Sequence, residues 1–407
     1  MIMLSQQQRN FFEFLRFCIG TVQEVPSSLK GADWRVLYAM ARKQCLVGVL
    51  FDGIKRLPAD VGMDKGLLFQ WMAQNQTLRK ANARLDKAAV EVAEWFGRKG
   101  FRTCVLKGQG NALLYPPGME RTPGDIDLWV DGGDRKVVSF VRSLSPDEKV
   151  CYHHIGFPEY NGVEVEVHFR PSFLFCSRHN RCLQGYYERV MDEQFAHKVK
   201  LGGQGEVAVP KAEFNLIFQL THIFSHLMNE GIGLRQLLDY FFLLKNTDFI
   251  GNTDGGAFFA NTDCTDNTDK VGGNAESGGS LVNTDFTDRG LLQDELRRLG
   301  LWEFAGAVMY IMKEVFGLED NRLIVPPDVK RGRLVLKEVL EAGNFGQYDK
   351  RNWFGHSALG HNLQRLYRDM RLVRYFPAEA LSEPFFRIWH FFWRKRIVRD
   401  HGGTNDA

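Results

Sequence analysis

Two periods of apolar residues alternate along this chain, and they separate helical flanks from a short strand-bearing middle. In residues 5–25, Phe11, Phe14, Leu15, Cys18 and Ile19 recur at helical spacing behind Ser5, a residue suited to capping a helix. Residues 32–57 read as a second helix, or as two short ones broken near Gly48. From residue 66 to 100 a long polar helix carries Leu78, Ala81, Leu85, Ala89, Val92 and Phe96 on one stripe. The period then shortens. Residues 102–106 read as a strand and 109–115 as a helix. Ile126, Leu128 and Val130 next alternate with Asp125, Asp127 and Trp129, the pattern of a half-buried strand. Residues 131–143 form a crossover helix after an Asp-Gly-Gly turn, and 150–155 a further strand. Asn161-Gly162 signals a hairpin into 163–169, where the valines face the core and Glu164, Glu166 and His168 share the other face. Hairpins plus one crossover predict an α+β unit: a small, mixed, twisted sheet with helices on one side.

Beyond residue 210 the helical period returns over 214–245, 291–317, 329–342, 365–375 and 383–398. Between these lies a stretch of different composition. Asn-Thr-Asp recurs at 246, 252, 261, 267 and 283 among glycines and serines. So little apolar surface cannot offset the entropy of ordering, so 246–288 is expected to be a disordered insertion. It lacks the closing glutamate and fixed spacing of a calcium loop. The expected organisation is an N-terminal helical segment at 1–100, an α/β core at 101–200 and a C-terminal helical domain at 211–400. The last helix mixes Phe385, Phe386, Trp389, Phe392 and Trp393 with Arg387, Arg394, Lys395, Arg396 and Arg399. Aromatic stripes at helical spacing usually pack inward, so 383–399 is expected to cover the core. Peripheral contact with an anionic membrane is the alternative.

Composition narrows the class. The 407 residues are 44% hydrophobic, with a net charge of +3, so bulk charge gives little support to non-specific nucleic-acid binding. The 7 cysteines are scattered without a Cys-x-x-Cys pair, which points to a reducing, cytoplasmic compartment. Neither a secretory signal in residues 1–16 nor a transmembrane run is evident.

Chemistry concentrates in 104–131. Asp125 and Asp127, two apart on a strand, place carboxylates side by side, ~7 Å apart along the strand. Such a pair repels unless a cation lies between, and a divalent ion is the usual solution. Upstream, Lys107-Gly108 follows a strand, and glycine at such a turn lets phosphate approach the backbone beside a positive charge. Should the two alternating strands pair, Glu164 or Glu166 would complete a three-carboxylate site able to hold two Mg²⁺ ions. Strand geometry alone does not choose between them. His168 either supports that glutamate or is a half-exposed strand residue. His222 and His226 share a helix face that packs toward the sheet, and Arg235 and Asp239 read as a helix ion pair.

Leu106-Lys107-Gly108, the Arg121-x-x-Gly124-Asp125-Ile126-Asp127-Leu128 block and Val165-Glu166-Val167-His168 together resemble a known family. It is the bacterial branch of uncharacterised nucleotidyltransferases within the DNA polymerase β-like superfamily. Asp33-Trp34, His222-x-x-x-His226, the stretch from Gly233 to Asp239, and Gly343-Asn344-Phe345-Gly346 are similar too. The resemblance implies a nucleotidyltransferase fold in which Asp125, Asp127 and Glu166 are the catalytic, Mg²⁺-binding carboxylates. It implies that Lys107, Gly108 and Arg121 bind the triphosphate of an NTP. The acceptor, whether small molecule, sugar, RNA or protein, is left open. Gln109 stands where the superfamily often has a second glycine or a serine, which keeps a competing expectation: a catalytically inactive nucleotide-binding or interaction protein on the same fold.

Overall fold

The computed structural model describes residues 4–58, 61–250, 286–351 and 358–400. It opens with α1 (Gln6–Ile19), α2 (Trp34–Lys43) and α3 (Val47–Ile54). Ser5 caps α1 reciprocally: its hydroxyl accepts from the Gln8 amide while the Gln8 side chain accepts from the Ser5 amide. The break between α2 and α3 falls at Cys45, whose φ is 55°, and not at Gly48. Gly48 lies inside α3, where a Cβ would come within 2.2 Å of the Glu120 carbonyl oxygen, so this glycine serves close packing. Next, α4 (Lys65–Arg98) runs for 34 residues and joins two cores. Its Leu67 and Trp71 pack with α1–α3, while Leu85, Ala89 and Phe96 pack under the sheet.

The sheet takes β1 (Thr103–Val105), the single-turn α5 (Gln109–Ala112), β2 (Ile126–Val130), α6 (Gly133–Leu144), β3 (His154–Tyr160) and β4 (Val163–His168) in sequence. Its spatial order is β1-β2-β4-β3. β1 is antiparallel to β2, β2 parallel to β4, and β4 antiparallel to β3 across the Asn161-Gly162 turn. Of the strand expected at 150–155, only His154 and Ile155 lie in a strand, the start of β3, and Val150 makes an isolated bridge to Ile155.

Helices cover both faces of this sheet, not one. Val105, Ile126, Leu128 and Val130 belong to the core shared with α4 and α6. Cys104, Leu106 and Trp129, the alternate positions, belong to the core beyond the other face. There Trp129 stacks on Phe214 with ring centroids 5.7 Å apart. The expected half-exposed strand is therefore buried along its whole length, because an aromatic-rich helix layer lies against its polar-looking face.

That layer comprises α7 (Ser177–Ala196), the hairpin β5 (Lys198–Leu201) and β6 (Gly205–Ala208), then α8 (Ala212–Asn229) and α9 (Leu234–Asn246). α8 and α9 are separate helices, broken where Gly231 takes a φ of 109°. The ends of the expected disordered insertion are ordered: β7 (Asp248–Ile250) pairs in parallel with β8 (Phe286–Asp288). Residues 251–285 lie outside the described residues. The chain continues through α10 (Arg289–Arg298), α11 (Trp302–Glu314), α12 (Val329–Ala342), α13 (Ala358–Leu372) and α14 (Pro377–Asp400). Residues of α1–α3 and of α8–α12 share one hydrophobic core. α14 covers the core with one face only: Phe386 packs on Phe173 and Tyr152, with centroids 5.1 and 5.2 Å away, while Phe385 and Phe392 remain exposed. Among the described residues no helix is long and apolar enough to cross a membrane.

Candidate active site

Parallel pairing of β2 with β4 sets Asp127 opposite Glu166 and Trp129 opposite His168. Side chains at paired positions of adjacent strands point to the same face, so the acids of β2 and β4 converge. His168 joins them. Its Nε2 lies 2.9 Å from Asp127 Oδ1 and 3.5 Å from Glu166 Oε2. Lys107, arriving from the end of β1, brings Nζ to 3.1 Å from Asp127 Oδ1 and 3.2 Å from His222 Nε2 on α8. Glu166 also faces His154 Nε2 at 3.5 Å, while Glu164 is exposed. The second oxygen of Asp127, Oδ2, is buried without a hydrogen-bond partner.

The electrostatics follow from burial set against these charges. Nδ1 of His168 faces the carbonyls of Arg170 and Pro171 at 3.4 and 3.3 Å, and Nε2 faces carboxylates. Both ring nitrogens thus meet acceptors, the arrangement of an imidazolium. Burial opposes that charge, but the bonds to Asp127 and Glu166 outweigh it and raise the His168 pKa to about 9. Burial likewise opposes the Lys107 ammonium, and Asp127, Asp125 and Glu166 more than offset it, pushing its pKa up. Burial would raise Glu166, yet the His168 hydrogen bond and nearby positive charge hold it well below the usual carboxylate range. Asp125 is lowered because Lys107 outweighs its burial. Asp127 goes the other way, raised by burial and by the charge of Asp125. His154 is kept neutral by burial, its pKa lowered to about 4.

The residues expected to hold phosphate divide. Gly108 adopts φ 61° and ψ −106°, a conformation closed to most side chains, and a Cβ there would lie 3.4 Å from the Asp125 carbonyl oxygen. After it the expected helix at 109–115 shrinks to one turn, and Gln109 turns away to hydrogen-bond Asp86. Arg121 is saturated: Nε and Nη2 donate to the two oxygens of Asp239 at 2.8 and 2.7 Å, both residues buried. The Tyr115 hydroxyl donates to the same carboxylate at 2.7 Å. Asp239 is thereby occupied, so the expected ion pair with Arg235 along α9 does not form. Arg235 Nη1 instead donates to the carbonyls of Thr122 and Pro123 at 3.2 and 3.3 Å, and its guanidinium lies 5.5 Å from the Phe345 ring centroid.

Over Asp125 and Asp127, α8, α9 and the Phe345 turn line a cavity of about 30 Å³, bordered also by Lys107, His222 and Arg235. It is narrow and partly open to solvent. His154, His222, Arg235 and Phe345 escape a reading for catalytic acids. His222 was read only for its helix face with His226, Phe345 only within the Gly343–Gly346 resemblance, and Arg235 only for its spacing from Asp239, which misleads about its partner.

The oxygen-rich cluster suits a hard divalent cation, and the orphaned Asp127 Oδ2 supplies a ligand atom that no protein donor claims. A solved structure, an antigenic nucleotidyltransferase-like protein from Paracoccidioides brasiliensis, aligns at 14% identity and a TM-score of 0.26, covering 42% of this chain and 77% of that one. No curated protein matches the chain. Residues 30–264, more than half of the chain and spanning every site residue from Lys107 to Asp239, match the family described as uncharacterised nucleotidyltransferase, and the chain belongs to that family.

Proposed function

We propose that the protein transfers a nucleoside monophosphate from an NTP to a hydroxyl or phosphate acceptor and releases pyrophosphate. One observation supports this most: strand pairing brings Glu166 beside Asp127, with a buried carboxylate oxygen left unpartnered among them. Leaving such an oxygen unsatisfied costs about 1–3 kcal/mol, which a bound cation would relieve. Asp125, Asp127 and Glu166 would hold two Mg²⁺ ions, whose chemistry is to neutralise phosphate charge and acidify the acceptor hydroxyl.

The chain's own groups do the rest. Lys107 presents an ammonium to the phosphates, and Gly108 lets them approach the backbone. Arg121, saturated by Asp239, is a positioning residue in this reading: it ties α9 to the loop that presents Asp125. Phosphate contact passes to Arg235 at the cavity wall. The acceptor oxygen bonds to the α-phosphorus, the bond from that phosphorus to its bridging oxygen breaks, and the electron pair leaves with pyrophosphate. Glu166, kept ionised by His168 and Lys107, accepts a hydrogen bond from the acceptor hydroxyl, whose proton passes to solvent.

Incubation with labelled NTPs and Mg²⁺ across an acceptor panel tests this. Incorporation should vanish in Asp125→Ala plus Asp127→Ala, and unchanged incorporation would rule the mechanism out. The narrow cavity and the averted Gln109 favour a second reading, nucleotide binding without transfer. Mg²⁺-dependent NTP binding with no turnover on any acceptor would establish it.

A further inference from the structure

α13 and α14 form an antiparallel pair joined by the short 373–376 turn. Arg387 Nη1 reaches the Asn362 side-chain oxygen at 2.9 Å, and the carboxyls of Asp369 and Glu383 act on each other. This register sets Met370 abreast of Leu381, Leu366 of Phe385 and Leu363 of Ile388. All six face solvent: Met370 is 61% exposed, Leu381 60%, Phe385 74%, Ile388 61%, Leu366 44% and Leu363 41%, with Phe392 beyond them at 65%. On α14 the positions 381, 385, 388 and 392 repeat at spacings of four, three and four, which is one helix face. The opposite face, with Phe386, Trp393 and Ile397, packs inward. The ridge is therefore not a core stripe left bare. It is a second apolar face.

Charge on this hairpin is just as one-sided. Between 358 and 399 the acids are Asp369, Glu379 and Glu383, each at most 4% exposed. Arg374, Lys395, Arg396 and Arg399 are exposed, and the last two continue the line of the apolar face. We propose that this surface docks on an anionic bilayer. The ridge enters the boundary between headgroups and acyl chains, and the basic residues meet acidic headgroups, with α14 in the membrane plane. A second copy of the chain would set basic face against basic face, with Asp369, Glu379 and Glu383, the described acids of this hairpin, all buried. Nucleic acid could stack on Phe385 and Phe392 but would leave the aliphatic majority of the ridge, Leu363, Leu366, Met370, Leu381 and Ile388, exposed to water. The inference does not depend on nucleotidyl transfer.

The test is sedimentation of the full-length protein with vesicles of phosphatidylcholine alone or mixed with phosphatidylglycerol. The expected result is binding to the anionic vesicles that weakens as salt rises. Phe385→Ser, Ile388→Ser and Phe392→Ser together should cut the bound fraction about tenfold or more, with unchanged circular dichroism because these side chains are exposed. No binding to anionic vesicles, equal binding to neutral ones, or equal binding by the triple variant overturns the proposal. So does a concentration-dependent dimer, or bound nucleic acid, that the triple variant loses.

Discussion

Lys107 sets its ammonium 3.1 Å from Asp127 Oδ1, inside the cluster of carboxylates where a metal ion would be held. The side chain is thus both a phosphate donor and an internal competitor for cations. Two unit charges about 4 Å apart interact by about 4 kcal/mol at an effective dielectric of 20, so removing this one should matter. In Lys107→Met, Mn²⁺ should bind about tenfold or more tightly, equal to about 1.4 kcal/mol, while nucleotide incorporation falls about 100-fold. Calorimetric titration and a turnover assay read the two effects separately. Unaltered Mn²⁺ affinity would show that the ammonium does not compete.

Arg121 and Asp239 are buried together, and separating them should be costly. Removing one partner of a buried ion pair typically costs about 3–5 kcal/mol, because the other charge stays buried and uncompensated. Arg121→Ala is expected in that range by urea denaturation. Arg121→Met with Asp239→Leu should cost much less than the sum of the single changes, since neither then strands a charge. Additive losses would mean that the pair is not coupled.

Two histidines at the site give opposite pH dependences. The folded pKa of His168, about 9, lies above its unfolded value of about 6.5. Its stabilising contribution is complete below pH 6.5 and lost as pH rises through 9. His154, lowered to about 4, contributes above pH 6.5 and loses that contribution as pH falls through 4. Each changes stability by about 1.4 kcal/mol per pH unit inside its own window. In metal-free protein His168→Asn should flatten the alkaline limb of stability against pH, and His154→Asn the acid limb. Histidine NMR should find the His168 ring titrating near 9 and the His154 ring near 4. If both titrate near 6.5, the charge balance described for the cluster fails.

The parts legible in sequence were those with local causes. Ser5 announces its capping box, Asn161-Gly162 its turn, and the alternation from Ile126 to Val130 its strand. Asp127 was legible for the same reason, as a strand residue opposite Glu166, while Asp125 falls one residue before β2 and lines the same cavity. What was missed depends on long-range packing. Trp129 looked half-exposed because nothing nearby in sequence announces Phe214, which stacks on it. Arg121 looked available for phosphate because Asp239, 118 residues away, had a nearer apparent partner in Arg235. Periodicity likewise identified α14 as amphipathic without revealing that both its faces are apolar.

Phe345 holds a left-handed backbone, φ 50° and ψ 31°, at the cavity rim, with its ring 5.5 Å from the Arg235 guanidinium and 5.2 Å from the His226 ring. For an L-residue this conformation costs about 1–2 kcal/mol, and glycine escapes the cost. Replacing Phe345 by alanine forfeits the ring contacts and keeps the strain; replacing it by glycine forfeits the same contacts and removes the strain. The glycine variant should therefore be more stable than the alanine variant by about 1 kcal/mol, the reverse of their order at ordinary backbone angles. Both remove one wall of a cavity of about 30 Å³. A fluorescent NTP analogue should then associate faster with both than with the native protein, if that ring is what keeps a triphosphate from the acids. Urea titration orders the two stabilities and stopped-flow fluorescence reads the association rates. Equal rates in all three proteins would assign the closure to α8 and α9 instead.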